Sequence, residues 1–138
     1  LDRSPDDRRK ETMKLRIKGN SLRLRVSPSE VTRLLETGRI EETIYFAAGD
    51  DARLTYALEH TPQAAGMTVR YTPQQVTVVV SSSAARQWTD GKDVGLYGET
   101  STNDGTLELA VEKDFACLDK AAAENVDTFP HPQQGTAC

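Results

Sequence analysis

No run of apolar residues in this sequence approaches the roughly 18 that a membrane-spanning helix needs, so none is expected. Histidine and cysteine are scarce at two each, and there is one tryptophan. The two histidines do not stand one helical turn apart. No serine sits in a nucleophile elbow, and no glycine-rich run could cradle a phosphate chain. An enzyme is therefore not the expected reading. A surplus of basic charge is also missing, since 17 Lys and Arg stand against 21 Asp and Glu for a net charge of -4. That removes the electrostatic footprint of general nucleic-acid binding. The first residues lack the apolar core of a secretory signal, which makes the cytoplasm the expected compartment and reduced thiols the expected state. The partners left by these exclusions are a protein or a small ligand, with no nucleic acid and no membrane.

What the sequence does contain is a pattern stated twice. Leu15-Arg16-Ile17, Leu22 to Ser27, and a short amphipathic run with Val31 and Leu34 return 54 residues later. The echoes are Val69-Arg70-Tyr71, Val76 to Ser81, and a run with Ala85 and Trp88. Leu54 to Glu59 returns as Leu107 to Glu112 at an offset of 53, which a one-residue loop deletion explains. An internal repeat of this length predicts a duplicated unit of two strands, a helix and two strands. The fold class expected is α+β, a mainly antiparallel sheet of about eight strands with two short helices related by a pseudo-two-fold axis. Closure into a small barrel is one way such a sheet could lose its exposed edges. The 138 residues suffice for one domain over 13–138. Its parts are a first repeat (13–60), a second repeat (67–112) and a C-terminal extension (113–138). Residues 1–12 hold four acids, four bases and no apolar periodicity, so they are expected to be a disordered leader.

From Lys14 the residues alternate strictly. Leu15, Ile17, Leu22, Leu24 and Val26 fall on one side, and Lys14, Arg16, Lys18, Arg23 and Arg25 on the other. This is the signature of a hairpin with one face in a core. Its outer face is a basic ladder, and Arg16, Lys18, Arg23 and Arg25 are its candidate anion-binding residues. The ordinary reading is a solvated face paired with neighbouring acids such as Glu41, Glu42 or Glu59. With no aromatic interleaved for stacking, that reading is preferred. Ser27-Pro28-Ser29-Glu30 predicts a helix start by capping box and first-turn proline, and Gly38 predicts its stop. Val78-Val79-Val80 predicts a strand covered on both faces. Trp88 is expected in the core. His60 has no ligand-spaced neighbour and is expected to be a lone surface histidine.

Past Glu112 the repetition ends and the chemistry-bearing residues gather. Cys117, Asp119, His131 and Cys138 form a candidate metal set, suited to zinc or another divalent or soft ion, although their spacing matches no standard finger. A Cys117 to Cys138 disulfide would close a loop of about 20 residues and contribute roughly 3 kcal/mol in an oxidising compartment. The plainest alternative is a buried Cys117 and an exposed Cys138. Asp114, Phe115, Asp127 and Phe129 are the candidate interaction surface.

Met13 to Arg25 and Glu112 to Leu118 resemble a family of small bacterial proteins recorded only as a domain of unknown function. The resemblance runs from Met13 to the C-terminus and supports that methionine as a natural start. It implies no activity. It also implies asparagine where this chain has His131, a departure that lowers His131 as a ligand. The function expected is a small binding or interaction module working through the C-terminal extension. A metal-binding or metallochaperone-like protein using Cys117 and Cys138 is the alternative, and a thiol-dependent enzyme pairing Cys117 with His131 a distant third.

Overall fold

The computed structural model describes residues 12–114, which fold into eight strands and two helices. They run as β1 (Lys14–Lys18), β2 (Ser21–Val26), α1 (Pro28–Thr37), β3 (Arg39–Tyr45), β4 (Arg53–Thr61), β5 (Thr68–Thr72), β6 (Gln75–Ser81), α2 (Ser82–Asp90), β7 (Gly95–Thr102) and β8 (Gly105–Lys113). The leader, apart from Thr12, and the extension beyond Asp114 lie outside the described residues.

The strands form two four-stranded mixed sheets, β1-β2-β8-β7 and β3-β4-β6-β5, rather than one antiparallel sheet. They do not close into a barrel. Each sheet is two hairpins joined along a parallel seam: β2 runs alongside β8, from Ser21↔Glu108 to Val26↔Lys113, and β4 alongside β6, from Thr55↔Gln75 to Thr61↔Ser81. The cause is the placing of the helices. Each leads the chain out of one sheet and into the other, so the hairpins before and after it belong to different sheets. Strands β1, β7, β3 and β5 are therefore edges. Edge strand β1 carries Lys14, Arg16 and Lys18 in alternation, charges that discourage pairing with a further strand.

Local chemistry sets the helix ends. Ser27 Oγ accepts from the Glu30 N–H and Glu30 Oε1 accepts from the Ser27 N–H, a complete capping box, with Pro28 in the first turn. Gly38 ends α1 at φ 86°, a left-handed conformation that glycine adopts without a Cβ penalty. Ser81 caps α2 through the Ala84 N–H. Lys113, on β8, donates from Nζ to the Gly91 carbonyl and so brings a cation to the C-terminal end of α2.

The inner faces of both sheets and one side of each helix meet in a core of Met13, Leu24, Val26, Leu34, Leu58, Val78, Val80, Trp88 and Val111, among others. Val78, Val79 and Val80 are all buried, as their run of three predicts. The N-terminal end of β1 is tied to the opposite sheet where the Tyr56 hydroxyl donates to the Met13 carbonyl at 2.7 Å.

His60 is not the surface residue expected. It lies within β4, half-buried, and bridges the two helices. Nε2 lies 3.1 Å from the Leu34 carbonyl and Nδ1 2.8 Å from Ser82 Oγ. Because a carbonyl only accepts, Nε2 carries the proton and, in the neutral ring, Nδ1 accepts from Ser82. A His60→Ala variant is expected to lose about 1–3 kcal/mol of stability in urea unfolding, two hydrogen bonds' worth. Amide exchange should quicken in the last turn of α1. Exchange quickened uniformly through the chain would contradict the bridging role.

Candidate functional site

The two sheets present outer faces of the same design, and one is covered by its own side chains while the other lies open. On β3-β4-β6-β5, the register puts Ala57 beside Thr77, flanked by Glu41 and Arg70. Ion pairs close over this centre: Arg39 Nη1 to Glu59 Oε1 at 2.9 Å, Arg70 Nη2 to Glu59 Oε1 at 3.0 Å and Arg39 Nε to Glu41 Oε1 at 3.1 Å. Arg39 also reaches Thr77 Oγ1 at 3.4 Å. Hydrogen bonds from Arg70, and then Arg39, hold the Glu59 carboxyl below its usual range. Beneath this lattice Ala57, Thr77 and Val79 are buried although they face away from the core.

On β1-β2-β8-β7 the matching centre stays open. Arg16, Arg23, Ala110 and Tyr97 form one row across the four strands. The rows on either side are Lys14, Arg25, Glu112 and Gly95, and Lys18, Ser21, Glu108 and Glu99. A groove of about 500 Å³ runs over Ala110 between Arg23 and Tyr97, with Ser21, Glu99 and Glu108 along it. A smaller depression of about 110 Å³ adjoins it, lined by Arg16, Lys18, Ser21 and Arg23.

The acids that answer the basic ladder are not the ones expected, because Glu41, Glu42 and Glu59 all belong to the other sheet. Lys14 pairs with Asp114 at 2.9 Å, and Arg23 and Arg25 share Glu112 Oε1 at 3.4 and 3.6 Å. Arg16 and Lys18 have no acidic partner among the described residues.

An aromatic does stand beside the ladder, contrary to expectation. Tyr97 comes from β7, and its ring is exposed while its hydroxyl donates to Glu112 Oε2 at 2.8 Å. Partial burial, with the neighbouring Glu112 carboxylate, pushes the phenol up to about 12, so it remains a donor through the physiological range. Gly95 makes this pose possible. A Cβ there would lie 2.6 Å from the Val111 carbonyl and 3.1 Å from the Tyr97 hydroxyl.

Of the residues singled out from sequence, the structure brings Arg16, Lys18, Arg23, Arg25 and Asp114 onto this one face. Phe115, Cys117, Asp119, Asp127, Phe129, His131 and Cys138 lie outside the described residues. Among the described residues no group of three His, Cys, Asp or Glu side chains could hold a metal ion, and no helix is long and apolar enough to cross a membrane. Tyr97, Glu99, Glu108 and Ala110 were missed by sequence reasoning. The alternation along β7 and β8 puts each of them on an outer face, but nothing local says that this face continues into β2.

No curated protein and no solved structure matches the chain. A family model does match over residues 13–133, nearly the whole of the region that resembles small proteins of unknown function. The chain therefore belongs to a family of unknown function, DUF7009.

Proposed function

We propose that the protein is a small binding module for a protein or small ligand, and that its recognition surface is the outer face of β1-β2-β8-β7. Asp114, which follows β8, pairs with Lys14 on this face, and the C-terminal extension that continues from it in sequence is proposed to share in recognition. The observation that carries the reading is the contrast between the two sheets. Both have an outward alanine, Ala57 and Ala110, beside an outward glutamate, Glu59 and Glu112. Arg39 and Arg70 close over the first pair with ion pairs to Glu59, whereas Arg23, Arg25 and Tyr97 engage Glu112 to one side and leave a groove over Ala110. A face that could be sealed by the same residue types and is left open is where a ligand gains most by excluding water.

The duplicated scaffold belongs to this proposal. Support comes from Ser27 and Ser81 as matched N-caps and from two sheets of the same hairpin-seam-hairpin design. The repeats are interleaved, since each sheet takes one hairpin from each.

The test is a ¹⁵N–¹H shift-perturbation screen of the full chain against a panel of soluble metabolites and short peptides. Binders are expected to shift amides in residues 16–25 and 97–110. Binders confined to β3-β4-β6-β5, or none at all, would sink the reading.

A further inference from the structure

The open groove is electrically divided. Its β1–β2 end holds Arg16, Lys18 and Arg23, and its β7–β8 end holds Glu99 and Glu108, directly opposite each other in the register. Like charges facing across a strand pair are destabilising. The two ends do not cancel. Lys18 and Glu108 are separated by Ser21, two strand spacings or about 10 Å apart. Ser21 Oγ is itself engaged with the Lys18 carbonyl at 2.6 Å. A ligand with an anion at one end and N–H donors at the other would relieve both ends at once.

Between the ends lie a small floor and a ring. Ala110 leaves the middle of the row low, and Tyr97 stands two strands from Arg23, about 10 Å away. Its hydroxyl is tied to Glu112, so the exposed ring is held in place before any ligand arrives, and less entropy is lost on stacking. Arg23 Nε lies 3.4 Å from Glu112 Oε1, longer than a tight charge-assisted pair, which leaves its guanidinium capacity for an anion.

Resting on the proposal that this face is the recognition surface, we propose that its occupant is a phosphorylated, amino-bearing heteroaromatic, by chemical class a mononucleotide. The phosphate sits at Arg16, Lys18 and Arg23, the ring stacks on Tyr97, and the ring's amino group donates to Glu99 or Glu108. A nucleic-acid strand fits less well, because a phosphate chain continued across the groove would meet the two carboxylates.

The experiment is a shift-perturbation titration of the full chain with adenosine 5′-monophosphate, adenosine, ribose 5-phosphate and inorganic phosphate, at low and high salt. The nucleotide is expected to bind about tenfold or more tightly than any fragment, with affinity falling as salt rises. Arg16→Ala should weaken the nucleotide and ribose 5-phosphate about tenfold and leave adenosine unchanged. Tyr97→Leu should weaken the nucleotide and adenosine by a similar factor and leave ribose 5-phosphate unchanged. Arg70→Ala, on the other sheet, should alter none of them. Equal binding of nucleotide and ribose 5-phosphate, indifferent to Tyr97→Leu, would reduce the site to an anion patch and overturn the inference. Failure of the nucleotide while panel compounds still map to this face would overturn the inference and leave the recognition face standing. If neither the panel nor these probes registers there, both fall.

Discussion

At pH 8 the Glu30→Gln protein is expected to be more stable than the wild type by roughly 3 kcal/mol, with the advantage gone at pH 4.5. Glu30 is 1% exposed, and its Oε2 has no hydrogen-bond partner among the described residues. Desolvation by burial raises its carboxyl from 4.5 to about 7, against the lowering effect of its hydrogen bonds from Ser27. Glu42 raises it further, and Arg33, 3.9 Å away, lowers it. Attraction to the start of α1 is worth less than about 2 kcal/mol and does not offset the desolvation. The folded chain therefore holds this proton more tightly than the unfolded chain. Its contribution to stability is complete below pH 4.5 and is lost as pH rises to about 7. Glutamine accepts the same Ser27 N–H and so keeps the capping box while removing the charge. Urea unfolding from pH 4.5 to 8 checks this. A wild-type slope retained by the variant would show that another group titrates there.

Trp88→Ala is expected to cost about 3–5 kcal/mol, enough to unfold a marginal domain. Trp88 is 1% exposed and is among the largest fully buried side chains described. Most of the loss is cavity and burial rather than hydrogen bonding. The indole Nε1 donates to the Val94 carbonyl at 3.2 Å, but that carbonyl also accepts from the Lys113 N–H at 3.0 Å and so keeps a partner. Trp88→Phe removes the same hydrogen bond with a smaller void and should cost markedly less. Because Trp88 is the chain's one tryptophan, far-ultraviolet circular dichroism must follow unfolding in place of fluorescence. A Trp88→Ala loss below about 1 kcal/mol would mean that the residue is not the core anchor of α2.

Features set by a few neighbouring residues were legible before any coordinates. The capping box at Ser27, the stop at Gly38, the alternation of β1 and β2 and the double burial of Val78 to Val80 all arise within one turn or one strand. Side-chain alternation says which face a residue occupies, but not which strand lies alongside. The β2–β8 and β4–β6 seams, and with them the division into two sheets, were therefore out of reach. The same gap hid the candidate site, because Tyr97 meets the ladder only across Ala110 of β8. His60 was misread for a related reason: its partners, Leu34 and Ser82, lie on separate helices that only the finished fold brings together.

The two seams differ in how much chain each must gather. The β4–β6 seam joins Thr55 to Gln75, close neighbours in sequence, whereas the β2–β8 seam joins Ser21 to Glu108. During synthesis the first can zip as soon as β6 is made, while β2 waits with its inner edge unmatched until almost the last strand has emerged. A chain halted after β6 and before β8 thus carries one finished sheet and one orphaned hairpin.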